Sequence, residues 1–148
     1  MIENLHHKVD RLIPTVGVGA MVLRHGKVLL GERIGQHGAG TYAWCGGGLE
    51  FGESPEDAAV REVLQESGMT VTRAELLCVS NIREYERHYI DFEFLVEAVG
   101  EAELKEPETC KSWNWYSLDD LPMPLFRPVE IALESYYKRH GNEVILNI

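Results

Sequence analysis

The chain predicts an α/β (or α+β) sandwich: a mixed β-sheet with helices packed on it. Three observations lead there. Apolar or alternating segments of strand length recur in both halves of the chain. A strongly capped helix divides them. A second helix follows the last strands, so the order is strands, helix, strands, helix.

Thr15 to Leu23 is apolar and rich in Val and Gly, and Lys27 to Gly31 is a second apolar run. His25-Gly26 between them reads as the turn of a β-hairpin. Gln36 to Thr41 (QHGAGT) is a loop, and Tyr42 to Trp44 and Leu49 to Phe51 read as short strands. Ser54 to Gly68 is a helix. Ser54 suits the N-cap, Pro55 the first helical position, and Asp57 makes a near capping box. Glu56 and Asp57 complement the helix dipole, and Gly68 supplies the stop. Ala59 and Val63 lie one turn apart, as do Val60 and Leu64, which predicts an apolar side.

Val71 to Ile82 and Tyr89 to Val99 read as strands around a charged turn, Arg83 to Arg87. In the second, Tyr89, Asp91 and Glu93 alternate with Ile90, Phe92 and Phe94, so one face is polar, with the solvent side of a strand as the bland reading of Asp91 and Glu93. Lys111 to Tyr116 is a short aromatic strand. Ser117 caps a helical turn through Leu121, and a last helix runs from Pro128 to Arg139, before Gly141.

The chain has 148 residues, which suits one domain over 1–148. No stretch is apolar for long enough to span a bilayer, and Met1 to Asp10 lacks an apolar signal core. A cytoplasmic protein without membrane partners is expected. The three cysteines, Cys45, Cys78 and Cys110, fit no zinc spacing and no disulfide framework. Net charge is −10, which disfavours nucleic acid polymers. A small anion can still bind where cations neutralise it locally.

One segment carries chemistry. Glu62 and Glu66 share one helix face, one turn apart. Such carboxylates repel unless a hard cation such as Mg²⁺ lies between them. Glu53 stands at the helix entrance. Arg61 can pair with a carboxylate and hold the loop to the helix. Gly46, Gly47 and Gly48 permit a sharp bend that exposes carbonyls. The bland alternative is a solvated helix face.

Gly47 to Met69, GGLEFGESPEDAAVREVLQESGM, resembles the Nudix box, G-x5-E-x7-R-E-U-x-E-E-x-G-U with U bulky and apolar. Gln65 departs from it, standing where the family usually has Glu. A neutral amide contributes no charge, which weakens one metal site. The resemblance implies a Nudix-type α/β/α sandwich and hydrolysis of a phosphoanhydride in nucleoside diphosphate-linked compounds. Mg²⁺ would be the cofactor, with Mn²⁺ able to replace it. Glu62 and Glu66 would be metal ligands, joined by the Gly46 carbonyl and Glu53. Glu62, Glu53 and Arg61 would form the catalytic group, with Glu62 and Glu53 competing for the base and Asp91 or Glu93 as further contenders.

From Val16 to Tyr137 the chain is also similar to the subgroup that includes the human thiopurine nucleoside triphosphate diphosphatase. The shared pieces are VGVGAMVL, GAGT, GGGLEFGE, EPETCKSWNW and LPMPLF. Cys45 departs from a Pro common in relatives. This likeness implies a nucleoside triphosphate substrate, cleaved to monophosphate and pyrophosphate, and is compatible with a homodimer. Gly38, Thr41, Leu125 and Phe126 would hold the base, and Arg33 would touch phosphate. Trp113 and Trp115 are expected in the core. His88 is a weaker contact candidate, and His6-His7 is too short a pair to argue metal binding. Two other readings remain: an ADP-ribose, nucleotide-sugar or dinucleotide pyrophosphatase, and a non-catalytic nucleotide-binding module.

Overall fold

The computed structural model describes residues 12–148, so His6 and His7 lie outside the described residues. The described residues begin with β1 (Thr15–Arg24) and β2 (Lys27–Glu32), joined at His25-Gly26, whose φ angles are 53° and 73°. Two positive φ angles in a two-residue loop match the right-handed twist of the flanking strands. β3 (Tyr42–Ala43) and β4 (Cys45–Gly48) follow, then α1 (Pro55–Ser67), β5 (Thr70–Glu84), β6 (Arg87–Val99), β7 (Asn114–Ser117), α2 (Arg127–Lys138) and β8 (Ile145–Asn147).

The strands form a mixed sheet in the order β3-β2-β1-β6-β5-β8, with β4 also on β1 and β7 on β2. The parallel pair β1–β6 places Thr15, Gly17 and Gly19 beside Tyr89, Asp91 and Glu93. β5 and β6 form a long antiparallel hairpin. The expected mixed α/β architecture is therefore observed. One apolar layer joins Val18, Ala20, Val22, Phe94 and Val96 to Ala58, Ala59 and Val63 of α1. The other joins Met21, Leu30 and Leu77 to Val129, Ala132 and Leu133 of α2. Trp113 and Trp115 pack against the first layer, as expected.

Several local expectations need correction. The strand is not Leu49–Phe51 but the glycine run before it, and Phe51 is fully exposed. A Cβ on Gly46 would sit 2.5 Å from the Val18 carbonyl oxygen, so close pairing with β1 needs glycine there. The Arg83–Arg87 turn shrinks to Tyr85-Glu86, with φ of 55° and 57°, because the strand ladder runs on to the pair Glu84–Arg87. Neither residue is a usual choice for that conformation, so the sequence did not reveal a tight hairpin.

Ser117 to Leu121 forms a turn and not a helix: the Asp120 amide donates to the Ser117 carbonyl at 3.0 Å, and Pro122 bars helical continuation. On α1, Ala59 and Val63 are buried, but Val60 and Leu64 are exposed. β8 had no alternating signal. It is a short edge strand parallel to β5, tied in by Asn147, whose amide donates to Ser80 and Ser135 at 3.0 and 3.1 Å.

Candidate functional site

α1 is built as its caps suggest. The Ser54 hydroxyl accepts from the Asp57 amide at 3.1 Å, and Gly68, at φ 74°, turns its amide back to the Leu64 carbonyl. This fixes the phase of the helix and points Glu62 and Glu66 at β4. A Cβ on Gly47 would lie 2.4 Å from Glu62 Oε1, so the carboxylate rests on bare glycine backbone. The Gly46 amide donates to Glu66 Oε1 at 3.1 Å. Trp113 Nε1 donates to the Glu66 carbonyl at 2.9 Å, pinning the helix from the other side.

Arg61 is the centre of a hydrogen-bonded fan. It donates to both oxygens of Glu53 (2.7 and 3.1 Å), to Glu62 Oε1 (2.7 Å), to Gln65 Oε1 (3.2 Å) and to the Gly48 carbonyl (3.0 Å). Its guanidinium is held above its ordinary pKa, chiefly by the Glu53 hydrogen bonds. Glu53 also accepts from the Glu50 amide at 2.8 Å, so it faces Arg61 and its own loop. Its carboxylate lies below the usual range because Arg61 and the Glu50 amide favour the charged form. Gln65 directs its amide oxygen at the same arginine.

The acids do not form a finished cage: among the described residues, no three His, Cys, Asp or Glu side chains converge as a metal set. Glu62 and Glu66 do meet. Burial first, then the hydrogen bond and charge of Glu62, push Glu66 up to about 9. Two carboxyls this close in a buried place require a proton or a cation between them. The donor set is all oxygen, which fits a hard divalent ion better than a soft one. The surrounding cleft, about 320 Å³, is lined by Glu50, Arg61, Glu62, Gln65, Glu66 and Glu106 among others.

A second cleft, also about 320 Å³, adjoins it. Arg33, Gln36, Ala43, Trp44, Gly46 and Gly47 line both. Its inner wall is Tyr89, Asp91 and Glu93 of β6. The polar face is thus buried rather than turned to solvent: Asp91 is 4% and Glu93 2% exposed. Gly17 and Gly19 on the neighbouring strand make the room. A Cβ on Gly19 would lie 2.4 Å from both Glu93 oxygens, and one on Gly17 3.2 Å from Asp91 Oδ1. Trp44 Nε1 donates to Glu93 Oε2 at 2.7 Å. Burial, then the neighbouring Asp91, pushes Glu93 well up. Burial raises Asp91 too, opposed by its hydrogen bond with Glu93.

At the mouth of this cleft stand aromatic rings. Phe126 stacks on Tyr85 at 5.2 Å, and His37 lies 5.8 Å from Phe126 and 6.2 Å from Tyr89. The Arg33 guanidinium covers Phe126 at 4.0 Å and donates twice to the His37 carbonyl, at 3.0 and 2.9 Å. Burial, and next the charge of Arg33, lower the His37 pKa to about 4.

The residues expected from the sequence divide accordingly. Glu53, Arg61, Glu62, Glu66 and Gly46 come together at α1. Arg33 and Phe126 line the second cleft. Gly38, Thr41 and Leu125 stand behind its wall. Gly38, at φ 72°, packs on the Phe126 ring, and the Thr41 hydroxyl donates to the Gly38 carbonyl at 2.6 Å. Leu125 bridges to Tyr42. His88 pairs with Asn81 at 2.7 Å on the exposed hairpin, away from both cleft linings. Asp91 and Glu93 belong to the second cleft and not to the acidic one. The three cysteines are buried and free, with thiols raised by burial, and so are poor nucleophiles.

Sequence reading missed Trp44, His37, Arg87 and Tyr89 as lining residues. For Tyr89 the usable signal, its alternation with Asp91 and Glu93 opposite Gly17 and Gly19, becomes visible only once β1 and β6 are known to be neighbours; the other three carry none.

Comparison with known proteins gives a consistent picture. The family model described as NUDIX domain matches residues 13–138. An ADP-ribose pyrophosphatase of Methanocaldococcus jannaschii is 33% identical, over 88% of this chain and 78% of that protein. An oxidized purine nucleoside triphosphate hydrolase of Danio rerio is 30% identical, over 85% of this chain and 87% of its own. The crystal structure of a MutT NUDIX hydrolase from Burkholderia pseudomallei superposes with a TM-score of 0.78 at 36% identity, covering 83% of this chain and 98% of that one.

Proposed function

The chain belongs to the Nudix hydrolase family, a family of pyrophosphatases, and from this premise we propose that it hydrolyses nucleoside triphosphates to monophosphate and pyrophosphate with Mg²⁺, or Mn²⁺ in its place. The observation that carries this reading is the pair of adjoining clefts. One is acidic and suited to cation-bound phosphates. The other is aromatic, of nucleoside size, and joined to it through Arg33, Trp44, Gly46 and Gly47.

Glu62 and Glu66 would hold the cation, with Glu53 and the Gly46 carbonyl as added donors. When bound, it supplies charge neutralisation on the phosphate oxygens and eases ionisation of a water. The remaining work belongs to the chain's own groups. Glu62, which lines the acidic cleft, accepts the proton of the attacking water, while Glu53 stays bound to Arg61. Arg61 fixes both acids and ties the Gly48 carbonyl to α1. Arg33, at the junction, offers a fork to the phosphate chain. Attack in line at one phosphorus then forms one P–O bond as the bridging P–O bond breaks, and the other phosphoryl group departs with its oxygen.

The archaeal relative favours a second reading, ADP-ribose as substrate. Both substrates place a diphosphate on the acidic cleft, so the test is a panel of nucleoside triphosphates, nucleotide sugars and dinucleotides, with products resolved by mass. Pyrophosphate release from triphosphates is expected. Cleavage of ADP-ribose alone, into AMP and ribose phosphate, refutes the triphosphate reading.

A further inference from the structure

The phosphate chemistry leaves the inner wall of the second cleft unused, yet that wall holds unusual groups. Among the described residues, two buried side-chain polar atoms lack a hydrogen-bond partner: Tyr89 Oη and Asp91 Oδ2. Both residues line this cleft. They are two apart on β6 and so project to the same side. A Cβ on Gly17 would lie 3.2 Å from Asp91 Oδ1 and 3.3 Å from Tyr89 Cδ2, which places them around one point.

Glu93 differs from Asp91. It accepts from Trp44 and is hydrogen-bonded with Asp91, so its polar atoms are accounted for. Asp91 Oδ2 takes no part in that bond, which leaves it a buried acceptor with nothing to accept from. A buried acceptor left in this state costs free energy that a bound donor would recover. The rings of His37, Tyr89 and Phe126 beside it favour a flat ligand.

We propose that Asp91, assisted by the Tyr89 hydroxyl, reads the edge of the nucleobase and selects heterocycles bearing an exocyclic amino group over their keto counterparts. An amino group donates to Asp91 Oδ2. A keto oxygen in the same position sets lone pairs against lone pairs and leaves the acceptor unmet. The inference rests on reading this cleft as the nucleoside site, and it holds for triphosphates and for ADP-ribose alike.

The test is equilibrium binding, which does not depend on turnover. Nucleoside monophosphates are titrated calorimetrically into the full chain in two pairs that exchange amino for keto at one carbon: CMP with UMP, and AMP with IMP. In at least one pair the amino member should bind about tenfold tighter or more. Asp91→Asn offers a donor as well as an acceptor, so the ratio should collapse to roughly threefold or less. Tyr89→Phe should lower it at least about threefold, and it carries the test alone should Asp91→Asn not fold.

Absence of binding up to on the order of 10 mM overturns the proposal. So does the absence of any pair differing by more than roughly threefold, or a ratio unchanged in a folded Asp91→Asn. Hydrolysis is scored separately. Triphosphate turnover without an amino preference removes this inference and leaves the proposed reaction. Amino preference without triphosphate turnover does the reverse.

Discussion

Gly47→Ala offers a sharp test of how the acidic cleft is assembled. The added Cβ would lie 2.4 Å from Glu62 Oε1 and 2.7 Å from its Cδ, whereas ordinary contact begins at 3.4 Å. The carboxylate must therefore retreat by about 1 Å, a displacement of the size that costs on the order of 10²-fold in rate, or about 2.7 kcal/mol of barrier. The clash falls on the end of a side chain and not on backbone, and Gly47 is not among the positive-φ glycines. The fold should thus melt within about 2 °C of the parent. Gly48→Ala is the control, since nothing lies within 4 Å of its Cβ position. The assay is steady-state pyrophosphate release at saturating Mg²⁺, read beside a thermal melt. A Gly47→Ala kcat within roughly threefold of the parent, or a Gly48→Ala that falls as far, refutes a role for Gly47 in seating Glu62.

Further outcomes follow from the same geometry. Glu66→Gln should lower turnover by at least about 10²-fold and weaken Mn²⁺ binding in a direct titration, and chelation with EDTA should abolish turnover reversibly. Glu93 keeps its proton in the folded state at pH values where the unfolded chain has lost it. The native state then binds more protons, so stability falls as pH rises from the ordinary carboxylate range. Glu93→Gln removes part of that slope. Its melting temperature should gain on the parent between pH 5 and pH 8, and a gap that is flat or reversed contradicts the assignment. Leu29→Ala empties a fully buried position in the core between the sheet and α1. It should cost about 3 kcal/mol, or roughly 6–12 °C, in a denaturation experiment.

Much of the site is local in origin, and local features are what a sequence displays. The α1 cap, the positions of Glu62 and Glu66 on one face, and the glycines before them are set by spacing along about two dozen residues. All of them were legible, as was the alternation of Tyr89, Asp91 and Glu93. What alternation does not say is which way a face looks. The same period-two pattern serves a solvent face and a buried polar wall. Here β6 is flanked by β1 on one side and β5 on the other, with glycines opposite the acids, and so its polar face lines a cleft.

The same distinction explains the smaller misreadings. Gly46 to Gly48 lack strand propensity, and only their pairing with β1 makes them a strand. Val60 and Leu64 satisfy helical spacing but point outward, because α1 meets the sheet through Ala59 and Val63 instead. Gly38, Thr41 and Leu125 are close in sequence to lining residues of the second cleft, and Gly38 packs on the Phe126 ring that lines it. By itself, then, the sequence determined the family, the two described helices, the long strands and the acids at α1, because caps, periodicity and motif spacing act within a turn or a strand. Only the tertiary structure decided that two distant strands bury a carboxyl pair beside that motif, because the order of strands in a sheet is set by contacts between residues that are remote along the chain.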